Sequence, residues 1–510
     1  MKLTFLLVGL LTYVHLGLHA QSYPAEWGPS YRIKGLPAEP LQLAAPESDQ
    51  HYYLKTGGRR NGVLMKFNAQ HDPLATKIIK VRTDGERRRL HQFIRTASGE
   101  YTYWTSHDRR GKNLKAYVST WEGSQPSQPR QVYERQFDLS LLPNDIEWSL
   151  APELHANNEG TMAAFFSPLG DWDLVGIQQL AVAVFDADLA LVWDRQFAFP
   201  YPDRDVYFER VVVDATGEVL VLMRLYRGQR ERIMPAVGWE DSRPFSYRIF
   251  RLTEAGLVEY ELQLDAGLVP TDAGLFLPAG EPQQFLVAGF YQTEERPNTP
   301  AGMFLAWGQG GERALRVRSH RIEADFWEAS PSDHRGRQQR PTTRALTIDR
   351  LIEFPDGTYG FLGEEAYEIC LGGSENIKYN WGPIFLARFS RAGKWLGMQV
   401  IERYDKGEEP LTPSFALARD GERHWLVFND RLTRDERQAR MAADGQRPGR
   451  VDLQLVSIDG EGQIGTPQRL APGRDPDLVF HPRLFALREG TLLLGKVSHV
   501  KYAFGSLELD

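Results

Sequence analysis

The chain has a single cysteine, Cys370, in 510 residues. With no partner it cannot form an intramolecular disulfide, so stability must come from packing. Lysine is scarce: 13 of the 60 basic residues are Lys, and none lies between Lys115 and Lys378. Positive charge therefore rests on arginine, which stays charged and offers planar forks to carboxylates, phosphates and sulfates. No apolar run after residue 18 approaches the length of a membrane span. Nor does a net charge of -7 supply a positive field for nucleic acid, so no nucleic-acid partner is expected. What remains is ordinary for a globular protein: 42% hydrophobic and 25% charged residues, which excludes a disordered or collagen-like chain.

The first twenty residues run from Met1-Lys2 through an apolar stretch, Leu3 to Leu18, to Leu18-His19-Ala20. This is the layout of a secretory signal peptide, and Thr12 and His15 break the stretch below spanning length. Residues 1–20 are read as a cleaved signal and 21–510 as one domain, exported, with no membrane span after cleavage.

Internal repetition organises the remainder. An apolar run, a turn of Asp, Glu, Asn or Gly, and a second apolar run recur in eight copies starting near 41, 90, 153, 207, 274, 349, 415 and 482. Between successive copies lies a second kind of hairpin whose last strand ends in charge, as in Leu180–Phe197 and Ile384–Ile401. No convincing helical periodicity interrupts them. Two hairpins per unit make a four-stranded antiparallel sheet, and such units repeated radially are blades of a β-propeller. The expected fold is all-β, a single propeller of eight blades, with seven as the alternative. The last unit is one strand short, ending with Lys501–Leu509, and Tyr31–Leu36 resembles the missing outer strand. The N-terminus is therefore expected to complete the last blade and close the ring.

The best copy of the repeat is Phe354-Pro355-Asp356-Gly357-Thr358-Tyr359-Gly360-Phe361-Leu362-Gly363 followed by Phe385 to Trp395. It resembles the repeats of secreted bacterial β-propeller proteins. That resemblance covers most of the chain after residue 20 and implies a fold and an extracytoplasmic setting. It implies no activity, because propellers serve many functions.

Long insertions at 227–244, 323–347, 368–383 and 431–450 are expected as loops on one face, where a rigid scaffold usually carries binding. They hold Arg232, Trp239, Arg337, Trp381 and Arg434, which offer bidentate hydrogen bonds and stacking to an anionic glycan, or merely a solvated loop set. Counting back seven residues from the turn glycines gives Arg210, Arg350 and Arg483, and in other blades Gln92, Glu153 and Ser414, with Ala273 breaking the pattern. These positions are expected at the channel mouth. There they either form an anion-binding funnel or pair with carboxylates such as Asp349 and Glu209 to fasten the ring.

Gly460-Glu461-Gly462-Gln463-Ile464-Gly465 spells a dinucleotide fingerprint, but it lies in a hairpin with no helix behind it to receive a pyrophosphate. No P-loop, His-Glu-x-x-His, Gly-x-Ser-x-Gly or cysteine pair is present, so no cofactor and no metal are expected. The leading expectation is a monomeric, non-enzymatic propeller that binds a partner protein or an anionic glycan. The alternative is a glycan-cleaving hydrolase or lyase at the channel mouth, for which Glu153 is the acid that can be placed there.

Overall fold

The structure is a computed structural model. It describes residues 25–32, 41–47, 50–57, 61–80, 82–83, 86–108, 113–122, 125–136, 153–168, 177–202, 205–227, 244–281, 283–310, 312, 314–322, 345–370, 377–407, 414–432, 434–444, 451–470, 478–488, 490–497 and 501–509.

Within these residues the chain is almost wholly antiparallel β-structure. Two compact units are present, one spanning residues 35–413 and the other joining 414–510 to 1–34. The larger contains six sheets with four strands in consecutive order, whose first strands are Leu41–Glu47, Glu86–Thr96, Glu153–Ala156, Val206–Val213, Leu268–Phe276 and Ala345–Glu353. The smaller contains two more, beginning with Phe415–Asp420 and Val479–Arg488. These starts match the repeat read from the sequence, and we number the sheets one to eight in chain order.

In the larger unit the first strands of successive sheets lie beside one another, from sheet one to sheet six, while the later strands fan outward. We call these first strands inner strands. The sheets stack face to face through apolar layers. Between sheets three and four lie Phe165's neighbour Ala164, Val182, Phe199, Val221 and Phe250. Between sheets five and six lie Leu286, Phe290, Phe361, Phe385 and Phe389. Both faces of a middle sheet are covered, which explains why its central strands read as continuous apolar runs, such as Leu180–Phe185 and Val219–Met223. These are the blades of a β-propeller.

In the smaller unit the last sheet is completed from the front of the chain. Tyr31 and Arg32 pair with Tyr502 and Lys501, and Glu26 and Trp27 pair with Ser506 and Gly505, covering the edge of Lys501–Glu508. Residues 33–36 of the expected strand lie outside the described residues.

Two expectations about the insertions are corrected. Residues 434–444 form an α-helix, which the β-periodicity did not reveal; Arg, Glu, Gln, Met and Ala there are strong helix formers. Arg434 opens that helix, and its side chain is outside the described residues. Residues 368–383 are not one long loop. The strands Tyr359–Cys370 and Ile377–Phe389 run on as a paired ribbon to Cys370↔Ile377. Trp381 is consequently a strand residue, 3% exposed, paired across from Ala366 and Asp405. It is packing, not binding surface. Arg232, Trp239 and Arg337 lie outside the described residues.

Candidate functional site

The two ends of the inner strands are built differently. At the turn end, local chemistry dominates. Asp214 accepts hydrogen bonds from the Thr216 N–H, the Thr216 hydroxyl and the Glu218 N–H at 2.8–2.9 Å, and Gly217 takes the positive φ of 85° that the turn requires. In sheet six the Thr358 N–H and hydroxyl serve Asp356, beside Gly357 at φ 78°. The Gly460–Gly465 segment is another such turn, tied by the Asp459 carboxylate to the N–H groups of Glu461 and Gln463.

The opposite end carries a recurrent β-bulge. In sheets two, four, five and six the pairing with the second strand skips one residue, respectively His91, Glu209, Thr271 and Asp349. A bulge re-aims side chains, and the residue after it reaches sideways. In sheet two the Gln92 amide donates to the Leu154 carbonyl of sheet three. In sheet four Arg210 Nη2 donates to the Asp349 carbonyl of sheet six at 3.0 Å, and its guanidinium lies 4.9 Å from the Phe276 ring centroid of sheet five. In sheet five Asp272 Oδ2 accepts the Ile348 N–H of sheet six at 3.1 Å. Gln92 and Arg210 thus each bond to the main chain of another sheet. For Arg210, however, the acceptor is a main-chain carbonyl and not the Asp349 carboxylate. Glu209 does not fasten sheets either; it pairs with Arg224 of its own sheet.

Arg350 differs from its equivalents. Its side chain is exposed and makes no hydrogen bond or ion pair among the described residues. Its charge reaches Arg210: burial first, and then Arg350, push the Arg210 guanidinium below its ordinary value, with Asp349 and Asp272 opposing. Two guanidinium groups thus share one end of the larger unit without an ion pair to either among the described residues.

The carboxyl groups nearby are held back from ionising. Burial and then the Glu209 charge raise Asp272 to about 7, against the Ile348 N–H and the Arg224 and Arg210 charges. Burial, then Glu364 and Asp272, raise Asp349, against Arg210 and the Thr347 hydroxyl. Behind them Glu364 forms an ion pair with Arg403, both side chains fully buried, and Arg403 Nε also donates to the Gly382 carbonyl at 2.8 Å.

No family model matches the chain, and no curated protein matches it. Among solved structures, the β-propeller domain of the Trilobed protease from Pyrococcus furiosus is similar at 12% identity, covering 90% of this chain and 98% of that one, with a TM-score of 0.34. An oligogalacturonate lyase in complex with manganese is similar at 11% identity over 96% and 98% of the two chains, TM-score 0.38. A prolyl endopeptidase is similar at 11% identity with TM-score 0.38, and there the match covers 89% of this chain but 52% of the peptidase, about half its length.

Sequence counting missed Asp272. It selected Ala273 because the turn of sheet five is longer than its equivalents, so counting back from the turn glycine slips by one residue; pairing across the bulge aligns Asp272 with Arg210 and Arg350. Ala273 instead pairs with Gly289 and is buried. Glu153 lies at the start of the inner strand of sheet three, exposed, with Oε2 2.8 Å from His155 Nε2. The His155 ring is in turn stacked on Phe166 at 5.4 Å and 18°. Ser414 is buried in the smaller unit. There too Arg483 falls in the irregular stretch between the paired residues Phe480 and Phe485, and its side chain is outside the described residues.

Proposed function

We propose that this is a binding propeller, exported after removal of residues 1–20, that takes an anionic glycan at the bulged end of its inner strands. The observation that carries the reading is Arg350, an exposed guanidinium beside Arg210 with no ion pair among the described residues. Like charges placed together raise the free energy of the empty site, and a bound anion relieves it through charge-assisted hydrogen bonds. Because the adjacent carboxyl groups are held partly protonated, they do not neutralise the pair. A glycan array probed with the purified protein tests the reading. Anionic glycans should be retained by the native chain and lost with Arg350→Ala, whereas retention unchanged by that substitution would defeat it.

A second reading, a glycan-cleaving enzyme, is favoured by one observation. Glu153 and His155 form a reachable carboxylate–imidazole pair, both side chains about half exposed, with the ring orientation set by Phe166. An imidazole oriented by a carboxylate is suited to proton transfer. Release of reducing ends from anionic polysaccharides, abolished by His155→Ala, would replace the binding reading with this one.

A further inference from the structure

The bulged end of sheets four to six sets two guanidinium groups and two carboxyl groups together without joining them in ion pairs among the described residues. In each acid one oxygen is committed to a neutral donor. Asp272 Oδ2 accepts the Ile348 N–H at 3.1 Å, and Asp349 Oδ2 accepts the Thr347 hydroxyl at 3.2 Å. Oδ1 of each makes no hydrogen bond among the described residues, and the two acids stand within electrostatic reach of one another and of Arg210. Such an arrangement has spare donors on the arginines and, when an acid holds its proton, a spare O–H as well.

Resting on the anion-binding reading above, we propose that this end is a proton-coupled carboxylate site for a uronic-acid residue of a glycan. The uronate carboxylate bridges Arg350 and Arg210 and accepts a hydrogen bond from a protonated Asp272 or Asp349. When the acids are ionised, binding of the carboxylate brings one proton from solvent onto Asp272 or Asp349, forming its carboxyl O–H bond at the expense of one on hydronium or buffer acid; no other bond changes.

The groups that face the acids make this physically reasonable. From sheet four come Glu209, Arg210, Arg224 and Tyr247, from sheet five Asp272 itself, and from sheet six Asp349, Arg350 and Glu364. Glu209 is paired with Arg224 and Glu364 with Arg403, yet Glu209 and Glu364 are the leading charges that raise Asp272 and Asp349. What is left is two arginines and two acids, Asp272 raised by burial and then by Glu209, and Asp349 by burial, then Glu364 and then Asp272. Adding a carboxylate to this set disfavours ionised acids further, which is the origin of the proton uptake.

A carboxylate suits the O–H donor better than a sulfate does, because it is the more basic acceptor and O–H···O⁻ bonds between like groups are short and strong. A sugar suits the surroundings better than a peptide, because Tyr207, on the same inner strand as Arg210, is more than half exposed and presents an aromatic face on which a pyranose ring can stack.

The test is titration calorimetry of the full chain with an alginate hexasaccharide at pH 6 and pH 8, each in two buffers of different ionisation enthalpy. Affinity should fall about tenfold or more from pH 6 to pH 8, with proton uptake of up to roughly one per site, since one coupled proton changes affinity about tenfold per pH unit above the governing pKa. Asp272→Asn with Asp349→Asn should remove both the pH dependence and the uptake, and Arg350→Ala should weaken binding at least tenfold at pH 6. If the double variant does not fold by circular dichroism, either single substitution should halve the uptake or more.

Alginate binding that is equal at both pH values without proton uptake would overturn the proton coupling and leave the anion-binding reading standing. Binding of dextran sulfate or poly-glutamate in preference to alginate, still lost with Arg350→Ala, would overturn the uronate assignment alone. No binding of any of the three would overturn both.

Discussion

The two ends of the inner strands teach opposite lessons about where structure is encoded. At the turn end the turns themselves are closed within a few residues, as Asp214 is joined to Thr216 and Glu218, with added bonds between sheets such as Trp193 to the Gly217 carbonyl. At the bulged end the partners come from other sheets: Gln92 reaches Leu154, Asp272 reaches Ile348, and Arg210 reaches Asp349 across 139 positions of sequence. The turns thus close on their own residues, while the bulged end keeps charges whose partners depend on assembly. That incompleteness is what the anion-binding proposal rests on.

The largest expected effect is at the bulged end. Replacing Glu364 or Arg403 by Ala breaks a fully buried ion pair and should destabilise the larger unit by about 3–5 kcal/mol in urea titrations followed by tryptophan fluorescence. A loss under about 1 kcal/mol would mean that the bulged end is no more interdependent than the turns.

Next comes the pair of equivalent arginines. Arg210→Ala removes a half-buried stem, a contact over Phe276 and a hydrogen bond to sheet six, and should cost about 1–3 kcal/mol. Arg350→Ala should leave the unfolding midpoint unchanged. Equal effects would erase the distinction between a fastening and a free arginine.

At the turn end, Asp214→Ala should cost about 1–2 kcal/mol by stranding the N–H groups of Thr216 and Glu218. Here Asp214→Asn should rescue most of the loss, since its amide oxygen still accepts.

A further effect is on pH. Asp272 keeps its proton in the folded state up to about 7, whereas the unfolded chain loses it near 4. Between those values the folded state binds more protons, so this group makes the protein less stable as pH rises through the window. His424, lowered to about 4 by burial and then by Arg419, acts in the opposite sense between about 4 and 6.5, because there the unfolded state binds more protons. Melting temperatures of the native chain and of Asp272→Asn, measured from pH 4 to 8, separate the two. The difference between them should shift in favour of the variant as pH rises, and a constant difference would place the carboxyl in ordinary solvent.

The repeat, its turns and the strand borrowed from the N-terminus were legible because each rests on short-range chemistry: alternation of apolar residues, Asp and Gly at tight turns, a final unit lacking an edge. Tyr31–Arg32 pairing with Lys501–Tyr502 follows from that last deficit. Trp381 was misplaced because an insertion can lengthen a hairpin as readily as form a loop, and only cross-strand pairing to Ala366 distinguishes the two. Asp272 was missed because one extra residue in a turn and one in a bulge shift register without any mark in composition.

Sequence by itself determined that this chain makes four-stranded sheets with Asp- and Gly-ended turns, since those choices are settled by neighbours a few positions away. Only the tertiary structure decided that Arg210 is tied down and Arg350 is not, and that two aspartates resist ionisation. Burial and electrostatic reach are set by strands far apart in the chain, and no local pattern records them.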